Sequence, residues 1–381
     1  MKLKNKYGFT LIELLAVIVV LAIIALIATP IVMNTIKNAK KGAAERSADN
    51  YVKAVEQKVT ESKIDGAKIS NGDYQIQPDG NLCPASGCGE NDKDKITIDM
   101  SGNKPTSGTV RIANGGVYHP KTLLTVDDYS VGYVDDKATA RQSYNGVLCK
   151  VAEKKVKSFI WNAKADPLLE SSYSAEEIGL LSTEATSKYD NGVTYICNLG
   201  DSDDSKNLTF YVLETNGDKV SLILNKNISG SVSWLSAEDF KAAGGVVTDT
   251  MKKDNGPCQL GGICATNELG PITAEFALRT NTASWTKLLF NQITLPSKEQ
   301  IENVSAESLP NFVMGPVYQS IPTDYSTIND AFHGYWTSTP ANTYYEAYWV
   351  SIEFSTLSMW ASPNGPAGIR PVITVSKSNL S

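Results

Sequence analysis

The sequence predicts an α+β chain: a long N-terminal hydrophobic α-helix packed on a small antiparallel β-sheet, followed by a mixed, β-rich C-terminal module. Three observations carry that reading. Leu14 to Met33 is a run of twenty residues without a charge. A helical period continues beyond it, and then gives way to short alternating stretches separated by Asn-Gly and Asp-Gly turns. More than 200 residues remain after position 145, with turn and cap signals of their own.

The apolar run, wound as a helix, measures about 30 Å, the thickness of a bilayer's hydrocarbon core. Ile36, Ala39, Ala43, Ala48, Tyr51, Val52, Val55 and Val59 then recur at steps of mostly three and four, with lysines and acids between them. This predicts an amphipathic continuation that packs one face on a sheet. Asp65-Gly66 and Asn71-Gly72 stop it. Strands are predicted at Lys95 to Met100, Thr109 to Ile112 and Leu123 to Val134. Further on, Phe210 to Leu213 and Lys219 to Leu224 form a hairpin about Asn216-Gly217. Short helices are expected at Ser236 to Ala243, Thr282 to Phe290 and from Lys298, the last capped by Ser297. Tyr348 to Phe354 and Pro371 to Val375 read as closing strands.

Composition narrows the function. With 42% hydrophobic and 20% charged residues the chain is an ordinary folded protein, neither disordered nor polytopic. Its net charge of −6 includes the cationic Lys2, Lys4 and Lys6, so the remainder is more acidic still and nucleic acid is not an expected partner. Six cysteines, Cys83, Cys88, Cys149, Cys197, Cys258 and Cys264, are an even set for an exported chain. Cys83 with Cys88 and Cys258 with Cys264 each enclose a short turn, and Cys149 would then meet Cys197. Zinc is the rival reading, disfavoured by the spacings and by the lack of a histidine beside either short pair.

Glu13 interrupts the apolar stretch, and an ionised group at such a place either has a partner or lies at the interface. Gly8-Phe9-Thr10-Leu11-Ile12-Glu13-Leu14-Leu15, after a short basic leader, closely resembles the type IV prepilin N-terminal motif. The resemblance implies cleavage between Gly8 and Phe9 by a prepilin peptidase and N-methylation of Phe9. It also implies that Glu13 neutralises the terminal ammonium of a neighbouring subunit in the filament. The physics agrees: two charges each costly in an apolar bundle become tolerable together, and a pairing across subunits fixes axial register. Pro30 falls where many pilins carry a helix-interrupting proline, although Ala22 stands where many have a glycine. An ordinary secretory signal peptide also has a basic start and an apolar centre, but here the run is longer than usual and no Ala-x-Ala site follows.

A second resemblance lies at the other end. Gly334-Tyr335-Trp336-Thr337-Ser338-Thr339-Pro340, Trp349-Val350-Ser351 and Gly368-Ile369-Arg370-Pro371-Val372-Ile373 are similar to the tail of bacterial surface domains related to the C-type-lectin-like and formylglycine-generating-enzyme folds. Within those C-terminal residues the sugar-calcium tripeptides and the catalytic cysteine pair of those families are not matched, so neither activity carries over. Residues 318 to 360 hold eleven aromatics, a density well above the chain average of 8%. Such density suits either a compact β-rich core or a stacking surface that includes Trp336, Trp349 and Trp360.

Catalytic signals are sparse. Asp201-Ser202-Asp203-Asp204 lacks the spacing of a calcium loop, and His119 and His333 belong to no recognisable nucleophile or metal arrangement. No cofactor, metal or catalytic residue is expected. The reading is therefore residues 1–8 as leader, 9–36 as membrane and assembly helix, 37–145 as amphipathic helix with pilin-like sheet, and 146–381 as appended module. The expected function is a pilin-like subunit, membrane-held as a precursor and then extracellular in a surface filament. Its expected partners are other pilin subunits, the prepilin peptidase and methyltransferase, the pilus assembly platform and a glycan or host or matrix surface. A pseudopilin of a type II secretion or DNA-uptake system, and a surface enzyme on a pilin anchor, are the alternatives.

Overall fold

The computed structural model describes residues 10–66, 69–89, 94–153, 155–159, 180–252, 265–304, 334–342, 346–351, 356–360 and 366–381. It has the expected α+β architecture. Helix α1 runs unbroken from Leu11–Ile64, 54 residues, and passes through Pro30 without leaving helical geometry. A proline there supplies no backbone N–H to the preceding turn. The neighbouring Thr29 hydroxyl donates to the Ala25 carbonyl at 2.6 Å, so a side chain bonds into the ladder beside the gap.

The second half of α1 packs on an antiparallel sheet built from β1 (Gly72–Ile76), β2 (Leu82–Pro84), β3 (Ser107–Ala113), β4 (Gly116–Val117), β5 (Leu123–Val126), β6 (Tyr129–Val134) and β7 (Lys137–Gln142). Strand order is β2-β1-β3-β5-β6-β7, with β4 paired to β3. The buried helical stripe is Ala44, Ala48, Tyr51, Val52, Val55 and Val59. Two expectations shift here. Ala44 rather than Ala43 enters the core, and Ile36 and Ala39 are exposed, because the sheet reaches the helix only from its middle onward. Full burial of a valine such as Val55 contributes about 1.5–3 kcal/mol, so this stripe fixes the helix to the sheet. Polar contacts set its register: Tyr51 Oη donates to the Gly80 carbonyl at 2.9 Å, and the Ala140 amide donates to Glu45 at 3.0 Å.

Lys95 to Met100 is not a sheet strand, and Ile96 makes only an isolated bridge to Leu82. Leu123 to Val134 is two strands, since Asp127 takes φ 50° and turns the chain between them. The next hairpin, β6 to β7, turns at Asp135 and Asp136, both at positive φ, the geometry that matches strand twist in a two-residue loop.

Beyond the sheet come β8 (Cys149–Glu153), β9 (Lys155–Phe159), β10 (Leu180–Glu184), β11 (Thr194–Cys197), β12 (Leu208–Asn216), β13 (Lys219–Leu224) and β14 (Ser229–Ser233). They are followed by α2 (Ala237–Ala242), α3 (Asp249–Lys252), α4 (Ile272–Asn281), β15 (Ile293–Thr294), α5 (Lys298–Asn303) and β16 (Gly334–Pro340). The last strands are β17 (Ala347–Ser351), β18 (Thr356–Trp360), β19 (Pro366–Ile369) and β20 (Val372–Ser376). Two larger sheets result, β15-β20-β13-β12-β11-β8 and β14-β19-β16-β17-β18, beside the β9-β10 pair. One extensive apolar cluster runs through both and includes Trp234, Phe240, Trp285, Trp336 and Trp349. The helix expected at Thr282 to Phe290 is instead α4, just upstream. It ends at Thr282, whose carbonyl accepts from the Trp285 amide in a turn and from Arg141 on β7, which also donates to the Ala283 carbonyl.

These elements dock against the first sheet through buried polar contacts. Arg111 on β3 donates to the Ala243 carbonyl at the end of α2, and Asn114 donates to the carbonyls of Lys241 and Ala242 at 2.9 and 3.1 Å. Tyr118 donates to Asp239 at 2.8 Å, and Lys121 to the Leu269 carbonyl at 2.8 Å.

Candidate assembly site and displayed surfaces

At the start of α1, Thr10 is the N-cap and Glu13 the third helical residue. The Glu13 carboxylate accepts from the Thr10 amide at 2.9 Å and from the Thr10 hydroxyl at 2.8 Å, while the Thr10 hydroxyl accepts from the Glu13 amide at 3.3 Å. This reciprocal box satisfies donors that a helix start leaves open. It also holds a single carboxylate at the tip of the apolar rod, beside the Gly8-Phe9 junction. Gly8 and Phe9 themselves lie outside the described residues.

From Leu11 to Met33 the large apolar side chains are half or more exposed, and the most apolar window, mean hydropathy 3.2, has no buried residue. Such a continuous apolar surface is not left to water; it is long enough to cross a bilayer or to pack among like helices.

Two of the three expected disulfides are formed. Cys83–Cys88 closes the loop after β2, and Cys149–Cys197 ties β8 to its neighbour β11 with Cα atoms 4.0 Å apart. Cys258 and Cys264 lie outside the described residues.

Of the two readings of the aromatic-rich segment, compact core or stacking surface, Trp336 and Trp349 follow the first. Both are core residues, 0% and 6% exposed, cross-strand partners on β16 and β17 with ring centroids 6.5 Å apart. Trp336 Nε1 donates to the Val232 carbonyl at 2.6 Å. The alternation that faces an aromatic toward a ligand also faces it into a core when other elements cover that side of the sheet, as the apolar cluster does here. Trp360 lies on β18. Arg370, 1% exposed, donates through Nε to the Leu224 carbonyl at 2.6 Å and stacks over Tyr335, so it stitches two sheets. His119 stacks on Tyr133 and faces Asp136 at 3.3 Å; His333 lies outside the described residues. The acidic turn is divided among Lys287 to Asp201, Lys206 to Asp203 and Ser284 to Asp204. Among the described residues no group of His, Cys, Asp or Glu could hold a metal ion.

One feature was not legible in the sequence. Arg141 on β7 and Arg279 on α4, 138 positions apart, place their guanidinium carbons 3.9 and 5.5 Å from the same Phe290 ring centroid. Burial and the neighbouring guanidinium push the Arg141 pKa down to about 10, so it is cationic at neutral pH. Both line a cavity of about 580 Å³ with Glu275 and Phe290. Neither arginine lies in a recognisable motif.

Residues 3–29 match the family model described as the prokaryotic N-terminal methylation motif. No curated protein matches the chain. The match spans the leader, Glu13 and most of the apolar run, and it supports the type IV pilin-like prepilin family. The motif implies processing by a prepilin peptidase and assembly with other pilins.

Proposed function

We propose that this type IV pilin-like chain is a subunit of a surface filament, held in the cytoplasmic membrane as a precursor and displaying residues 146–381 outward for adhesion or tip functions. The single observation that carries the reading is α1: an apolar rod, exposed from Leu11 to Met33, that begins at the Thr10–Glu13 box and is fixed to a sheet by its other half. Cleavage at Gly8-Phe9 leaves the Phe9 ammonium a few residues from that carboxylate's own helix tip. In a staggered bundle the ammonium of one subunit meets Glu13 of the next, which removes two unpaired charges from the fibre core. The displayed part binds a surface without turning it over, and the stitched contacts between it and the sheet let it bear load.

Immunogold labelling of sheared filaments tests this directly. Label along the shaft or at the tip, with adhesion lost when residues 146–381 are deleted and filaments retained, supports the reading. A chain absent from filaments but required for protein export or DNA uptake makes it a pseudopilin.

A further inference from the structure

The cavity between β7, α4 and the segment that follows Phe290 holds an unusual set of groups. Arg141 is 2% exposed; its Nη2 donates to the Thr282 carbonyl at 2.8 Å and the Ala283 carbonyl at 3.3 Å, while its Nε and Nη1 are buried with no hydrogen-bond partner. Arg279 Nη1 is in the same position. Among the described residues neither guanidinium has a carboxylate within 4.0 Å. Stacking on Phe290 offsets part of the charge through the faces of the guanidinium groups, but it leaves their in-plane N–H donors unmet. Two desolvated like charges side by side are costly, and Glu275, one turn before Arg279 on α4, supplies only one compensating carboxylate, itself disfavoured as an anion by burial.

A carboxylate fits such a pair, because its two oxygens lie in one plane and one can accept from the open Nη1 of each guanidinium. The rest of the lining selects among anions. Asn216, Thr294 and Ser297 offer amide and hydroxyl groups, whereas Glu214 and Glu299 add negative charge to the lining. Carboxylates there accept from hydroxyl donors and repel a second anionic group, so a polyanion or phosphate dianion is the poorer match. The volume lies within the usual range for a small-molecule site.

We propose that this cavity binds a monocarboxylate with a hydroxyl-rich body, an acidic sugar of the uronic acid type, with its carboxylate on Arg141 and Arg279 and its hydroxyls toward the rim. Because Arg141 comes from the first sheet and Arg279 from the appended elements, the ligand bridges the two and stiffens their junction. The inference does not depend on filament assembly, since binding is a property of the single chain.

The test is isothermal titration of the full-length chain in detergent with glucuronate, glucose, inorganic phosphate and acetate. Glucuronate is expected to bind saturably, and glucose, which has the ring and no carboxylate, about tenfold more weakly or worse. Arg279→Gln should weaken glucuronate by a similar factor without lowering the Tm of the unliganded protein, because it removes one of two crowded cations. Arg141→Lys should weaken it too, and if that variant misfolds, Arg279→Gln alone decides. No glucuronate heat up to about 20 mM, equal binding of glucose, phosphate binding as tight as glucuronate, or unchanged binding by Arg279→Gln would each overturn the proposal.

Discussion

Arg111 donates through Nε and Nη2 to the carbonyl of Ala243, 132 residues away, at 3.0 and 2.9 Å, while its Nη1 faces Asp73 at 3.3 Å. A buried cation on β3 thus caps the C-terminal end of α2, a favourable place for positive charge. The junction is built from such polar contacts rather than from a flexible linker.

Arg111→Ala removes both bonds and leaves Asp73 facing Lys121, at 3.4 Å. The expected loss is about 2–4 kcal/mol, read from urea unfolding of the full chain. A second transition should separate from the first, because the two parts lose their clamp. A single transition at the original midpoint would show that the clamp carries no stability.

Reduction is expected to act unequally. Cys149–Cys197 has a sequence separation of 48 and Cys83–Cys88 one of 5, so in the chain-entropy treatment the first constrains the unfolded chain more, by about 4 against about 2 kcal/mol. Cys149→Ser with Cys197→Ser should therefore lower Tm more than Cys83→Ser with Cys88→Ser, measured by calorimetry under oxidising conditions.

Asp79 gives a pH signature. Its carboxylate accepts from Lys95 at 2.9 Å and from Asn81, and these bonds hold its pKa at about 2, below the ordinary 3.8. A depressed acid adds stability above its unfolded pKa and loses it as pH falls through the folded one. The loop that carries Cys83–Cys88 should loosen between pH about 4 and about 2, and Asp79→Asn should remove that step from amide-exchange profiles by bringing the loop's neutral-pH protection down toward its acid level.

How much could be read in advance depends on the range of the signal. The anchor helix, its Glu13, the Asn216-Gly217 hairpin and the cap at Ser297 are local patterns, and they are present as expected. Ala43 and Ala44 are adjacent small residues, so only the sheet decides which one faces the core. Trp336 and Trp349 carry the same polar-tipped rings whether a layer covers them or not, and the apolar cluster that buries them draws on residues dozens of positions away. Arg141 and Arg279 meet only through the docking of β7 and α4, far apart in sequence, a relation no local periodicity contains.

Glu13 has two separable duties, closing the Thr10 box and supplying charge. Glu13→Gln keeps an amide that can close the box but lacks the charge, whereas Glu13→Val removes both. If pairing with the Phe9 ammonium drives assembly, both variants should be processed normally and both should be missing from sheared filaments. Recovery of Glu13→Gln at wild-type levels would assign the residue to capping alone.

The site of cleavage decides whether Glu13 stays in the mature chain. Intact-mass and N-terminal peptide analysis of protein recovered from the cell surface should find an N-methylated Phe9 at the amino terminus, with the Gly8→Arg precursor retained uncut in the membrane. A mature chain that begins after Ala28 would mean removal by an ordinary signal peptidase, would leave Glu13 behind in the discarded segment, and would contradict the filament-subunit reading.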